Sequence, residues 1–250
     1  ANTWAVRGVK PGRIVIEEGS HPSVLEAAKG LKGKETTLVS SVTTDNKLGR
    51  QIRDERKKNH SEYPLLHIDA SQSANYFNVG LETLACDLLT LDAAKLYGPK
   101  GIGALVVRKE MKSSGRAFHL DLPPQGTPAV PLIAGFAKAL EIAVRDREAE
   151  RERLTSLSTL FVEGVRRLFP TAQITQTLPN IINVSIPELL PEFVVLALDQ
   201  AGLLISAGPA CASSKSEPPE TPVRISLGRF TTEKELCQGL EIFCRTIKMC

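Results

Sequence analysis

The chain has 250 residues, with 31 basic and 28 acidic side chains, a net charge of +3 and 42% hydrophobic residues. A chain of this length forms one large domain or two smaller ones without needing disulfide or metal staples, and its ordinary composition excludes collagen, low-complexity disorder and a disulfide scaffold. The charge is too small for a nucleic-acid-binding face, no apolar run approaches 18 residues and so no membrane helix is expected, and Ala1 to Lys10 lacks the apolar core of a signal peptide.

In chain order, Arg13 to Glu18 (RIVIEE) reads as a short strand bounded by Gly12 and Gly19. Ser20 is placed to cap a helix with Pro22 in its first turn, running through Val24, Leu25 and Ala28. Thr36 to Val42 is the next strand, Leu48 to Asn59 a charged helix, and Leu65 to Asp69 (LLHID) a buried strand that ends on a carboxylate. Asp87 to Leu91 and Gly103 to Val107 are two more strands. Strands alternating with helices predict an α/β fold, with a mostly parallel sheet covered by helices on both faces. Such sheets bind ligands at the carboxyl ends of their strands, which singles out Asp69 and Asp92.

The pattern changes near residue 125. Pro128 and Pro131 open a helical segment that runs to about Phe169; its charged middle, RDREAERER, reads as a solvated stretch joining two packed regions. Then come a strand at Ile181 to Ile186, a helix near Glu192 to Ala201, a strand at Leu203 to Ser206, a loop of small residues and proline, a strand at Val223 to Leu227 and a last helix from Thr231. The expected division is a large domain at 1–130 and a smaller α+β domain at 131–250. The cysteines stand at 86, 211, 237, 244 and 250, with no CxxC pair and no zinc-like Cys/His spacing, so no metal site is expected. Without further information each reads as a reduced packing thiol in a cytoplasmic protein.

Two segments carry chemistry. In LTLDAAKLYGPKGIGAL, Lys95 follows a strand end and precedes two glycine turns. A lysine amine in a cleft can form a Schiff base with an aldehyde; a surface lysine in a hairpin-like loop is the other reading. In HIDASQSA, Asp69 closes a buried strand and Gln72 follows three residues later. A carboxylate there can hold the pyridinium nitrogen of pyridoxal phosphate or cap a helix, and the two roles are compatible.

The order HPSVL, LVSSVTTDNKLG, HIDASQSA, LTLDAAKLYGPKGIGAL, GTPAVPLIAGFAKAL, LPNIINVSI, SAGPACASS and VRISLGRFTTEKE resembles the cysteine desulfurases of the iron–sulfur-cluster and nitrogen-fixation type, class-V aminotransferase relatives with the aspartate aminotransferase fold. The resemblance spans nearly the whole chain. It implies pyridoxal 5'-phosphate as cofactor, L-cysteine as substrate, a homodimer, and a sulfur-acceptor or cluster-scaffold protein as partner, with no nucleic acid or membrane. Residue by residue, it implies that Lys95 holds the cofactor, Asp69 its ring nitrogen and Gln72 its ring oxygen. It implies that His21 stacks on the ring and assists proton transfer, and that Thr127 reaches the phosphate of a neighbouring subunit. Arg224 clamps the substrate carboxylate, with Asn46 assigned beside it, and Cys211 attacks the substrate sulfur and carries the persulfide.

The sequence departs from the family pattern at several points. Asp92 and Ala94 stand where the family has a phosphate-holding serine and histidine, and Asp45 stands where it has an asparagine near the ring oxygen. The family's glycine–alanine–threonine phosphate loop would precede Ala1. The chain is short for the family, with segments expected near 29–35, 115–125 and 216–221, and its first residue is not methionine. A processed chain, a fragment, omitted residues or a shortened member would each account for this. The leading reading is a desulfurase converting L-cysteine to L-alanine with a persulfide on Cys211. Alternatives are a cofactor-poor pseudoenzyme serving as a dimeric binding or sulfur-relay module, and a lyase acting on selenocysteine or cysteine sulfinate.

Overall fold

The computed structural model describes residues 1–110, 118, 127–187, 189–207 and 222–249. Contacts divide the chain into Ala1–Arg147 and Glu148–Cys250.

In the first unit, β1 (Arg13–Ile16), β2 (Thr36–Ser41), β3 (Leu65–Asp69), β4 (Leu88–Asp92) and β5 (Gly103–Val107) form one sheet in that order. The first four are parallel and β5 returns antiparallel to β4. Period-two side-chain alternation gives the sheet two apolar faces. Leu38, Leu65 and Leu88 pack with Ala5 and Val6 of α1 (Asn2–Arg7) and with Val24 and Ala27 of α2 (Pro22–Ala28). Leu66, Ile68, Leu89 and Leu91 pack with Ile52 of α3 (Lys47–Lys58) and with Phe136, Ala139 and Ala143 of α4 (Val130–Leu168). Helices therefore cover both faces, as the alternating pattern predicts. The division at 147 falls inside α4 because these apolar residues of its first turns belong to the first unit's core; residue 130 marks the start of the helix.

Two local expectations change. The helix after Gly19 is capped by His21, not Ser20: His21 is extended (φ −61°, ψ 141°) and its ring accepts the Ser23 N–H. A residue before proline is driven out of the helical region, so the residue preceding Pro22 must be the cap. The short helix α1 was not legible, because only Ala5 and Val6 of its six residues are buried.

The second unit holds an antiparallel sheet in the order β6 (Gln173–Leu178), β7 (Ile181–Ser185), β9 (Val223–Ser226), β8 (Ser206–Ala207). The strand expected at Leu203 to Ser206 is thus displaced to Ser206–Ala207, and β6 is an additional edge strand whose polar residues (QITQTL) concealed it. Two more helices belong to this unit, α5 (Pro191–Gln200) and α6 (Glu233–Ile247). Phe161 of α4 meets Phe243 of α6 edge to face at 5.7 Å. The start of α6 carries a reciprocal capping box between Thr232 and Glu235. Arg153 donates to the carbonyls of Thr231 (2.7 Å) and Gly228 (3.0 Å), tying the loop before that helix to α4. Among the described residues no helix is long and apolar enough to cross a membrane.

Two buried polar groups hold the first sheet in register. Asp87, 1% exposed, forms a bidentate pair with Arg56 (3.0 and 3.2 Å) and accepts the Leu66 N–H at 2.9 Å. His67 is wholly buried, with Nδ1 2.9 Å from Ser40 Oγ and Nε2 2.9 Å from Thr90 Oγ1, so one imidazole spans β2, β3 and β4. Burial pushes its pKa down to about 4 against the opposing pull of Asp69.

Removing Asp87 leaves the Arg56 guanidinium uncompensated, so Asp87→Ala is expected to lose about 3–5 kcal/mol in urea unfolding. For His67, the unfolded chain takes up a proton near pH 6.5 that the folded chain refuses until about pH 4. Stability is then flat above this window, falls as pH drops through it, and loses nothing further below it. Unfolding at pH 7 and pH 5 is expected to show a loss about 2 kcal/mol larger in the wild type than in His67→Gln.

Candidate functional site

Parallel pairing puts the carboxyl ends of β1 to β4 along one edge of the sheet. Asp69 ends β3 and pairs with Thr90 of β4, two residues before Asp92. Beyond Asp92 the chain makes a 3-10 turn, Ala93–Leu96, and returns as β5. Lys95 lies on this turn with its side chain exposed. The structure shows the hairpin-like connection, with Lys95 exposed on it, at the carboxyl end of β4.

The turn is held firmly. Asp92 Oδ1 accepts the Ala94 N–H at 3.0 Å, Asn75 Nδ2 donates to the Lys95 carbonyl at 2.5 Å, and the Gly98 N–H bonds the Ala93 carbonyl at 2.9 Å. Gly98 is required by crowding: a Cβ there would lie 2.9 Å from Ala139 Cβ and 3.0 Å from the Ala93 carbonyl oxygen. Gly101 adopts φ +89°, open to glycine at no steric cost. The family departure at Asp92 thus has a local role, as the carboxylate cap of the lysine-bearing turn.

Both oxygens of Asp69 are engaged. Oδ1 accepts from Ser71 N–H (3.1 Å) and Ser71 Oγ (2.6 Å), an Asx turn, and Oδ2 accepts from Asn2 Nδ2 at 2.7 Å. The same Asn2 amide donates to Ser23 Oγ at 2.9 Å, and Ser23 Oγ lies 2.8 Å from His21 Nδ1. Asp69 and His21 are therefore joined through Asn2 and Ser23. Asn2, Ser23, Ser71 and Asn75 escaped the sequence reading. Ser71 could have been found, since Asp-x-Ser after a strand is an Asx-turn pattern; Asn2 reaches Asp69 from a distant part of the chain and leaves no local signal.

The other expected residues are placed as follows. Gln72 is exposed in the loop after β3. Asn46 is the partly buried N-cap residue of α3 but makes no cap bond; Asp45 Oδ1 accepts the Lys47 N–H at 2.9 Å instead. Thr127 is exposed ahead of α4. Arg224 belongs to the second unit, on β9 between Asn183 of β7 and Ser206 of β8, half-buried, with Nε buried and unpartnered among the described residues. Cys211 and Cys250 lie outside the described residues. Of the remaining thiols, Cys86 is fully buried and its pKa is pushed up to about 12, chiefly by burial and then by Asp87, while Cys244 is buried and Cys237 partly buried on α6. Cys86 packs rather than reacts.

Pyridoxal phosphate needs an amine for its aldehyde, a carboxylate for its protonated ring nitrogen and donors for its phosphate. Lys95 and Asp69, at one sheet edge, are of the types that could supply the first two. A further buried acceptor, Asn2 Oδ1, has no donor among the described residues and lies on the amide bonded to Asp69. The donor set fits the ring and aldehyde ends. At the lysine turn the side chain in the serine's place is the Asp92 carboxylate, occupied with Ala94 N–H.

Comparison with known proteins gives a consistent picture. The class-V aminotransferase family model matches residues 6–120 and 124–238. The chain is 32% identical over 237 residues to a protein named cysteine desulfurase IscS from Dictyoglomus turgidum, covering 86% of this chain and 60% of the relative. It is 33% identical over 239 residues to the protein of the same name from Ectopseudomonas mendocina, covering 86% and 58%. Among solved structures, a NifS-like protein superposes with TM-score 0.81 at 25% identity, covering all of this chain and 80% of the other. The cysteine desulfurase from Thermococcus onnurineus superposes with TM-score 0.79 at 21% identity, covering 100% and 77%, a likeness of fold. The chain spans about 60% of the length of the curated relatives it matches.

Proposed function

Because the chain belongs to the class-V aminotransferase family, we propose that it acts as a pyridoxal-phosphate-dependent cysteine desulfurase, converting L-cysteine to L-alanine. The observation that supports this reading is that Asp69, at the end of β3, and Lys95, on the turn after the neighbouring parallel strand β4, both lie at the carboxyl-end edge of the sheet. Relatives named cysteine desulfurase support the choice of reaction.

In this reading Lys95 and Asp69 hold the cofactor, with Gln72 and Thr127 as further contacts. The bound cofactor supplies an electron sink for the carbon skeleton of the substrate. Lys95 and His21 handle protons, Arg224 receives the substrate carboxylate through a planar guanidinium suited to bidentate pairing, and Asn46 is a further substrate-binding residue. The Cys211 thiolate attacks the substrate sulfur; a new S–S bond forms, the substrate C–S bond breaks, and its electron pair passes to the substrate carbon, which is then protonated to give alanine. The Cys211 persulfide passes its outer sulfur to an acceptor or cluster-scaffold protein. A homodimer working in the cytoplasm is part of the same proposal.

One observation favours a second reading. Asp92 brings a negative charge to the lysine turn, where the family has a serine, and Ala94 offers no side-chain donor. This suits a fold retained as a binding or sulfur-relay module with little cofactor.

Purified protein incubated with pyridoxal phosphate, cysteine and a reductant is expected to show a visible absorption band and release alanine. Cys211→Ala should stop alanine release and keep the band. Lys95→Ala should lose the band and at least about 100-fold of the rate. A colourless wild type that releases no alanine would select the second reading.

A further inference from the structure

Four side chains on three separate elements form one hydrogen-bonded path. Asn2 opens α1, His21 and Ser23 bracket Pro22 at the start of α2, and Asp69 ends β3. The donors along this path can be assigned. Asp69 Oδ2 and Ser23 Oγ both lie within 2.9 Å of Asn2 Nδ2, so both receive its N–H groups. The opposite amide orientation would set Asn2 Oδ1 against the Asp69 carboxylate, acceptor against acceptor. Ser23 Oγ then has one proton to give, and its remaining neighbour on the path is His21 Nδ1 at 2.8 Å. The backbone N–H of Ser23 also points at Nδ1, at 3.2 Å. Nδ1 therefore faces two donors and must act as an acceptor.

We propose that Asn2 and Ser23 are positioning residues that fix the ring proton of His21 on Nε2, and that they join this choice to the placement of the Asp69 carboxylate. Resting on the reading of the site as a pyridoxal-phosphate centre, this divides the labour between the two groups that handle protons. His21 presents Nε2–H as a hydrogen-bond donor toward bound substrate. Taking a proton at Nε2 would require the other neutral tautomer, with Nδ1 protonated against two donors. Abstraction accordingly falls to the Lys95 amine. Asn2 Oδ1, on the same amide, is buried and has no hydrogen-bond donor among the described residues.

The test uses the full chain, labelled with 15N, and long-range proton–nitrogen correlation of the histidine rings. The protein has 4 histidines, and His21→Gln assigns the signal. The wild type without added cofactor is expected to show His21 protonated at Nε2, with Nδ1 a hydrogen-bonded acceptor. Losing one hydrogen bond changes a population by about fivefold to tenfold. Ser23→Ala should reduce the excess of the Nε2–H tautomer by about that factor. Asn2→Ala should shift it in the same direction by freeing the Ser23 hydroxyl to turn away. A wild-type His21 protonated at Nδ1, or a tautomer ratio unchanged in Ser23→Ala, overturns the proposal even if neither variant folds as well as the wild type. The visible band with pyridoxal phosphate is recorded on the same samples. A colourless protein with the expected tautomer supports the path and removes the cofactor reading, whereas a coloured protein with the wrong tautomer does the reverse.

Discussion

Parallel pairing of β3 with β4 is the constraint from which the site follows. Asp69 pairs with Thr90, so β4 runs two residues past the end of β3 before the Lys95 turn begins, at the same edge of the sheet as Asp69. A slip of one residue would turn Asp69 to the other face of the sheet. The sheet guards against this slip with polar groups as well as apolar ones. His67 can satisfy both ring nitrogens only when Ser40 and Thr90 flank it, and Asp87 can accept the Leu66 N–H only when the start of β4 lies beside β3. Buried polar groups that are satisfied in one arrangement alone penalise the others heavily, which makes them a check on register.

The same constraint explains why a hairpin can carry the lysine. Most connections in such sheets cross over through a helix, but β5 turns straight back along β4. The connection is short and offers few bonds of its own, so it borrows them. Asn75 reaches its backbone from the loop after β3, Asp92 caps it, and Gly98 lets Ala139 of α4 approach. The lysine side chain is left exposed on a backbone held by these bonds.

Much of this was legible in the residues. The LLHID and DLLTL runs show two-sided burial, and the carboxylates that end the first and follow the second, Asp69 and Asp92, mark the carboxyl-end edge of the sheet. The change of pattern near residue 125 suggests a boundary at 130, whereas contacts divide the chain at 147, inside α4, where Phe136, Ala139 and Ala143 pack into the first unit's core, a tertiary fact. Short or polar elements were not legible: α1 buries two residues, and β6 alternates too weakly to stand out. Within the candidate site, Asp69 and Lys95 are singled out because each stands at or after a strand end, and His21 by the family resemblance. Asn2 was missed because its importance lies in a bond across 67 positions of sequence.

Asp92 shows how a departure from a family pattern is best weighed. Read on a line of letters, a carboxylate in place of a serine is only a charge near an expected phosphate. In the folded chain the same carboxylate accepts a backbone N–H and closes the first turn of the segment that bears Lys95. Serine and aspartate are both good caps, so the local fold tolerates the exchange while the charge it brings remains. Asp92 makes none of the hydrogen bonds of the Asp69 network, in which Asp69 is bonded through Asn2 and Ser23 to His21 and to Ser71 of its own loop. The two ends of the site are thus built on separate bond networks. A change at the lysine turn can alter that turn while leaving the hydrogen bonds among Asp69, Asn2, Ser23 and His21 in place.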